Sequence, residues 1–269
     1  GLVGSEMCIR DRTEVGYTVT VVPTQNDTYK EKLVVAMSSG ECPDMYSCWS
    51  GGPMYEYIDS GFGQPIDDLF NNSEIKDKLM ESAVGQATYN GKIYAVPYQN
   101  VSMSGIFYNK EMFDKYGLKE PETLTDLENI CDTLKENGIT PFALANSSKW
   151  TGSMYFMNLA ARYGGLEPFQ KAVAGEGKFT EESFIKAGEK IQEWVKNGYF
   201  PDGVNSLSED DGQAKQLMYQ ETAGMLLCGS WYTGTFATDS EEFYEKIGWF
   251  PFPAIEGSQA DPSIMIGTV

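Results

Sequence analysis

The pattern of hydrophobic and polar residues has strand-like character in some segments and helical periodicity in others. It therefore predicts strands that alternate with helices. Short runs rich in β-branched and aromatic residues, bounded by Gly, Pro or Asn, are typical of strands. Residues 16–22 form one such run, which ends at Pro23. The same pattern predicts strands over 16–22, 44–49, 91–97, 104–109, 139–144, 223–228, 247–251 and 263–269.

Segments with helical periodicity lie between these runs, and most of them end at a glycine. Thr125 is a suitable N-terminal cap for one of them, and Gly138 closes it. The alternation favours an α/β fold with a parallel sheet covered by helices. Helices are predicted over 29–39, 54–60, 110–116, 126–137, 151–163, 180–196 and 213–220, with a further helix opening over 231–236.

The chain shows no internal repeat and no low-complexity linker. Its 269 residues, 41% of them hydrophobic, can bury one sizeable core or two modest ones. Two α/β halves without a flexible linker suit lobes that are connected by strands, an arrangement that can act as a hinge. No run is long and apolar enough to predict a membrane-spanning helix.

Charge and composition exclude several classes of function. The net charge of −19 repels phosphate backbones, so neither a nucleic acid nor an anionic lipid surface is an expected partner. There is no histidine, which excludes Ser-His-Asp and Cys-His catalysis and removes the commonest transition-metal ligand. The five cysteines contain no C-x-x-C pair, and we interpret them as mostly free thiols, although Cys42 and Cys48 could bridge. We predict no metal site and no cofactor.

The first twelve residues, GLVGSEMCIRDR, resemble the translation of a sequencing adapter. They are therefore left out of the fold prediction, as a tag would be. We expect that the natural N-terminus, with a leader peptide and a first strand, preceded Thr13. The run 263–269 stops inside a predicted strand, so we expect that the C-terminus is cut as well.

Several short motifs, taken in their order and spacing, resemble the bacterial extracellular solute-binding protein family 1, whose best-known member binds maltose. Each motif is weak alone, but together they extend from Thr13 to the end of the chain. The motifs are Pro43-Asp44, 91–97 (GKIYAVP), 107–110 (FYNK), 123–127 (TLTDL), 198–201 (GYFP), 218–225 and 229–231 (GSW).

The resemblance implies a two-lobe, periplasmic-binding-protein-like (type II) α/β fold, truncated at both ends. The expected divisions are a foreign segment over 1–12, a first lobe over 13–104, a second lobe over 105–264, and the start of a second interlobe crossing over 265–269. The implied function is that of the substrate-binding component of an ABC importer, which closes on a sugar or oligosaccharide and delivers it to the permease subunits. The resemblance also implies a monomer that catalyses nothing, outside the cytoplasm, as a cell-surface lipoprotein or in the periplasm.

Sugar recognition needs flat aromatic faces for the pyranose rings and fixed polar side chains for the hydroxyls. Ligands of open α/β sheets bind beyond the carboxyl ends of strands, so we select the residues that follow each predicted strand. Trp231 also matches the stacking tryptophan of the family's second lobe, whereas Trp194 and Trp249 are predicted to be core residues. The predicted ligand-binding residues are Gln25, Trp49, Ser50, Tyr98, Gln99, Asn100, Trp150 and Trp231.

Three different functions remain open from the sequence. A glycoside hydrolase would need two facing carboxylates, and the predicted strand ends carry no convincing pair. The second alternative function is a sensory module with the same fold. The third is a binder of a peptide or polyamine. Residues 209–211 are acidic, but the spacing fails for a calcium loop, so we interpret them as a cap at the N-terminus of the helix over 213–220.

Overall fold

The computed structural model describes Gly16, residues 18–98 and residues 102–268. The adapter-like residues 1–12, and the predicted ligand contacts Gln99 and Asn100, lie outside the described residues. The chain divides into two compact units, residues 1–46 and residues 47–269.

In the first unit, a helix, α1, covers Asn26–Ser39, and Gly40 closes it in the left-handed conformation (φ 79°). Leu33 and Met37 are its buried residues. The strand predicted over 16–22 is wrong for its described residues, because none of them belongs to a strand. The strand predicted over 44–49 is wrong as well. β-Branched composition shows only that a segment fits a pleated surface, and a strand also needs a neighbour to pair with.

Residues 47–98 of the second unit form short helices and a small hairpin. Asn90 and Gly91 form the turn of this hairpin, since both residues have positive φ (48° and 74°) between strands that pair antiparallel. The strand predicted over 91–97 is reduced to two residues. The elements are α2 (Gly52–Asp59), α3 (Asp67–Asn71), α4 (Glu81–Gln86), β1 (Thr88–Tyr89) and β2 (Lys92–Ile93), with a 3-10 turn at Lys76–Lys78.

The main sheet of the second unit is mixed, which corrects the prediction of a parallel sheet. Its order is β4-β5-β3-β6, and β7 also pairs with β3. Among these pairs β4 and β5 are parallel, whereas β3 is antiparallel to β5, β6 and β7. Alternation of strand and helix does not determine the direction in which each strand enters the sheet. The strands are β3 (Ser102–Asn109), β4 (Thr140–Phe142), β5 (Ala223–Gly229), β6 (Ile247–Phe250) and β7 (Gly267–Thr268).

The predicted helices around this sheet lie near their predicted positions, whereas the sequence pattern does not predict the helices over Glu167–Val173 and Glu241–Lys246. One N-terminal cap is Thr123 and not the predicted Thr125: Thr123 and Asp126 form a reciprocal capping box, so that helix begins two residues before its prediction. A 3-10 turn at Val204–Ser206 lies between the fifth and sixth of them. The helices are α5 (Lys110–Tyr116), α6 (Leu124–Glu136), α7 (Trp150–Gly164), α8 (Glu167–Val173), α9 (Glu182–Lys196), α10 (Gln213–Tyr219), α11 (Tyr232–Asp239) and α12 (Glu241–Lys246).

The core lies around β5, all of whose residues are buried. Trp194 is confirmed as a core residue: it is 0% exposed, stacks on Phe142, and donates its indole N–H to Glu128 Oε1 over 2.7 Å. The prediction of Trp249 as a core residue is wrong, because it is 36% exposed. Its ring lies on the bare backbone of Gly105 in the neighbouring strand, which leaves its outer side open.

The thiols of Cys42, Cys48, Cys131 and Cys228 are free, so the possible Cys42–Cys48 bridge is absent. Burial raises the pKa of the Cys131 and Cys228 thiols well above the ordinary value, so both are neutral packing groups. Within 18–98 and 102–268, no helix has both the length and the apolar character that crossing a bilayer requires.

Candidate ligand-binding site

One edge of the main sheet collects the ends of three strands. Because β4 and β5 are parallel, with Phe142 opposite Met225, their carboxyl ends lie at the same edge. β3 is antiparallel to β5, with Ser104 opposite Gly229, so the start of β3 reaches this edge too. The segments that leave the edge carry the candidate residues Trp150 and Trp231.

Trp150 and Trp231 are in contact. Their ring centroids are 6.0 Å apart and their planes meet at 51°. Trp150 is the first residue of α7, and the preceding Lys149 adopts a left-handed conformation (φ 70°) that turns the chain into the helix. Trp231 directly precedes α11 and is 40% exposed, whereas Trp150 is half-buried. The pair therefore offers Trp231 as the open aromatic face, with Trp150 beside it.

The backbone beside Trp231 is fixed to the first residues of β3. The Ser230 N–H donates to the carbonyl of Met103 over 2.8 Å, and the Met103 N–H donates to Ser230 Oγ over 3.3 Å. The hydroxyls of Ser102 and Ser230 are 2.9 Å apart and share a hydrogen bond. These polar groups lie next to the exposed ring, where the hydroxyls of a ligand would also need partners.

Asn146, which is not among the predicted residues, braces the loop between β4 and α7. Its Oδ1 accepts from the Gly152 N–H over 2.9 Å, and its Nδ2 donates to Asn205 Oδ1 over 2.7 Å. A side chain at position 152 would meet the Asn146 amide, so the glycine allows this approach. Asn146 lies just after a predicted strand, which is the sequence signal used to select site residues. Its neighbours share that signal, so the sequence does not single out Asn146.

Glu209 lies nearer to this edge than the sequence suggests. Its carboxylate accepts a hydrogen bond from the hydroxyl of Tyr232, the residue that follows Trp231. Burial, together with the negative charge of Glu209, raises the pKa of Tyr232 far above its ordinary value, so this phenol remains a donor. The capping position of α10 is Gly212, which offers no side-chain hydrogen bond, so the interpretation of 209–211 as a cap is not supported.

A buried polar group links α7 to the strands beneath the edge. Asn158 donates to Ser104 Oγ over 3.0 Å, and Ser104 Oγ donates to the Ile266 carbonyl over 3.1 Å. One turn further along α7, the Arg162 guanidinium donates to the carbonyls of Phe252, Pro253 and Ile264. Burial lowers the pKa of Arg162 from its usual value. These contacts hold the segment between β6 and β7 against α7.

The remaining predicted residues differ in their exposure. Trp49 and Ser50 are half-buried, and Ser50 Oγ donates to Gln86 Oε1 over 3.1 Å. Tyr98 is 71% exposed. Gln25 is exposed just before α1, and its carbonyl accepts from Thr28 Oγ1 over 3.3 Å. Whether these residues contact a ligand together with Trp231 stays a prediction.

Among the described residues, no group of three or more His, Cys, Asp and Glu side chains is arranged to hold a metal ion. The chemistry identified at this edge is therefore aromatic stacking and hydrogen bonding by hydroxyls, amides and one carboxylate. This donor set is suited to a neutral polyhydroxylated ligand.

Comparison with known sequences agrees with a site for a polyhydroxylated ligand. A family model described as bacterial extracellular solute-binding protein matches residues 11–268. An ABC transporter extracellular-binding protein of Pyrococcus horikoshii is 31% identical over 229 residues, which cover 84% of this chain and 50% of the relative. The multiple sugar-binding protein of Streptococcus mutans is 26% identical, covering 96% of this chain and 59% of the relative. The chain spans about half the length of the curated relatives it matches.

Solved structures show the same fold. A protein from work on xylan utilization by the thermophilic bacterium Caldanaerobius polysaccharolyticus superposes with a TM-score of 0.90 at 32% identity, covering 98% of this chain and 67% of that one. A chitin oligosaccharide binding protein superposes with a TM-score of 0.88 at 24% identity, covering 99% and 66%. The predicted type II periplasmic-binding-protein-like α/β fold is confirmed by these likenesses.

Proposed function

Because the chain belongs to the bacterial extracellular solute-binding protein family, we propose that it is the substrate-binding component of an ABC importer for a sugar or oligosaccharide. The observation that carries the proposal is the contact of Trp150 and Trp231 at the edge where β4 and β5 end. A half-exposed indole beside fixed hydroxyls supplies the two things that a pyranose needs: a flat apolar face and hydrogen-bond partners.

The angle between the two rings indicates how a sugar would lie. Two aromatic rings that sandwich one pyranose must be nearly parallel and separated by roughly 7–8 Å, twice the contact distance between carbon atoms. Trp150 and Trp231 are closer than this and are tilted by 51°. We therefore propose that a sugar stacks on the open face of Trp231 and that Trp150 contacts this ring without forming the second wall of a sandwich.

The second stacking face would come from Trp49, as predicted from the sequence. The remaining proposed contacts are Ser50, Tyr98, Gln25, Gln99 and Asn100. We also propose the division predicted from the sequence: a first lobe over 13–104, a second lobe over 105–264 and a second interlobe crossing that starts at 265. A ligand that binds both lobes favours the closed state, and the permease would recognise that closure.

We propose that the protein catalyses no reaction, acts as a monomer and works outside the cytoplasm, attached by lipid or in the periplasm. Hydrolysis of a glycosidic bond would need a pair of carboxyl groups about 5–10 Å apart across the sugar. At the described edge the identified carboxylate is Glu209, and it is engaged with Tyr232. Family membership supports both the location and the permease partner.

A sugar panel tests the proposal. Relatives named for melibiose, raffinose and stachyose, and structures linked by name to xylan and to chitin oligosaccharides, suggest raffinose, stachyose, xylotriose and chitotriose as its members. A true ligand at a hundredfold excess over its Kd should stabilise the protein by about 2.7 kcal/mol in a thermal-shift measurement. Release of reducing ends from the bound sugar would instead show a hydrolase. Stabilisation by spermidine or a peptide, and by no sugar, would show a different class of ligand.

A further inference from the structure

The ring of Trp231 lies directly on the backbone of Gly229, two residues before it. A Cβ atom at position 229 would overlap three atoms of the indole, Cε3, Cζ3 and Cη2. The three nearest atoms to that position all belong to Trp231, so the ring occupies the space of the missing side chain.

The backbone itself does not require a glycine at position 229. Gly229 is the last residue of β5, pairs with Ser104 of β3, and is not among the positive-φ glycines. Any L-residue could adopt this extended conformation. The missing side chain at position 229 is therefore needed to make room for the Trp231 ring, and the backbone conformation does not require it.

The ring is held on its other sides as well. Trp150 contacts it at a centroid distance of 6.0 Å, and Ser230 is bonded to Ser102 and to both backbone groups of Met103. In spite of these contacts, Trp231 remains 40% exposed. A side chain that is both fixed and open offers its face to a ligand without losing rotational freedom on binding.

We infer that Gly229 is a positioning residue for ligand binding: it lets the Trp231 ring lie flat on the end of β5 in the orientation that receives the sugar. We call the Trp231 ring in this position the platform. A larger residue at position 229 would force the ring to leave this position, and Trp231 would become a mobile side chain. The inference rests on the proposed function, because it gives Trp231 the role of the stacking face.

The same sheet provides a matched control. The Trp249 ring lies on Gly105 in the same manner, and a Cβ at position 105 would overlap atoms of that indole. Gly105 pairs with Cys228, the residue before Gly229, so successive residues of β5 place the two contacts on opposite faces of the sheet. Gly105→Ala thus produces the same kind of collision, with a different tryptophan, away from the proposed platform.

The experiment compares Gly229→Ala, Gly105→Ala and Trp231→Ala by calorimetric titration, with xylotriose or stachyose as the probe, whichever gives the larger shift in the sugar panel. Gly229→Ala should weaken binding about threefold to tenfold, the effect of freeing one anchored side chain. Gly105→Ala should keep the affinity of the parent within about twofold, while lowering the melting temperature to a similar extent as Gly229→Ala. In the Trp231→Ala background, Gly229→Ala should have no further effect on the affinity.

If Trp231→Ala weakens binding and Gly229→Ala does not, the positioning role is wrong and the proposed function stands. Unchanged binding in Trp231→Ala would overturn the stacking site, and the inference with it. If Gly229→Ala does not fold, the double variant with Trp231→Ala decides: recovery of folding supports a collision with that ring, and failure of the double variant overturns it.

Discussion

Two aromatic clusters of the second unit differ in how far they are exposed to solvent. Around Trp194, the rings of Phe142, Tyr155 and Phe200 pack within 6.5 Å of one another and are closed to solvent on the side of the indole. At the sheet edge, Trp150 and Trp231 contact each other, but Trp231 keeps 40% of its surface exposed. A ring that is covered on all sides has no face left for a ligand, whereas Trp231 is held by its neighbours and still keeps part of its surface open.

The largest expected effect comes from the buried cluster. Trp194→Ala should lower the free energy of unfolding by about 3–5 kcal/mol, because it leaves a large cavity and removes the donor to Glu128. Chemical denaturation with fluorescence or circular dichroism measures this loss. For protein that remains folded, the affinity for the sugar should be unchanged. A selective loss of affinity without loss of stability would contradict the assignment of Trp194 to the core.

The corresponding change at the edge should have the opposite profile. Trp231→Ala should weaken binding by about 2 kcal/mol, as expected for an aromatic anchor, and should reduce the free energy of unfolding by less than Trp194→Ala does. Titration calorimetry and an unfolding curve on the same sample measure the two quantities. If Trp231→Ala mainly unfolds the protein, the difference between the two clusters disappears and the ring belongs to the core.

Trp150 should have an intermediate effect, because it contacts the platform without being its open face. Trp150→Leu keeps an apolar side chain at the start of α7 but removes the ring contact with Trp231. Such aromatic pairs contribute about 1 kcal/mol beyond simple burial, so affinity should fall by about that amount. The same substitution in a Trp231→Ala background should have little further effect on binding, and additive losses would show that Trp150 contacts the sugar itself.

The sequence predicts the parts of this arrangement that depend on local signals. Terminal glycines mark the ends of most of the predicted helices, and Trp231 can be selected because the strand predicted over 223–228 ends just before Gly229-Ser230-Trp231. The helix α6, with its capping box at Thr123, is a case where local chemistry determines the boundary within two residues.

The failures concern properties that depend on distant parts of the chain. Strand direction is one of them, since β3 pairs antiparallel with strands more than a hundred residues away in sequence. Trp249 is another: an apolar residue in a strand is usually covered, and its exposure depends on the bare backbone of Gly105. The bracing role of Asn146 needs Asn205, which lies in a different loop.

The smallest predicted effect is at the far end of α11, the helix that begins beside Trp231. Asp239 accepts hydrogen bonds from Lys215 over 2.6 Å and from Tyr219 over 2.9 Å. The bond from Lys215, followed by that from Tyr219, holds the pKa of the Asp239 carboxyl below its ordinary value. The folded state therefore prefers the ionised carboxylate, and the pair lies at the surface where water screens it, so Asp239→Asn should cost only about 0.5 kcal/mol at neutral pH.

The pH dependence of that cost follows from the sign of the pKa shift. The stabilisation is present above the pKa of the unfolded carboxyl, about 4, and it is lost as the pH falls through the lower pKa of the folded state. Unfolding curves of Asp239→Asn and the parent should thus differ at pH 7 and converge below pH 4, while their sugar affinities at neutral pH should be equal. A change of affinity in Asp239→Asn would mean that α11 transmits changes at its end to Trp231, and that the platform depends on more than the contacts at the sheet edge.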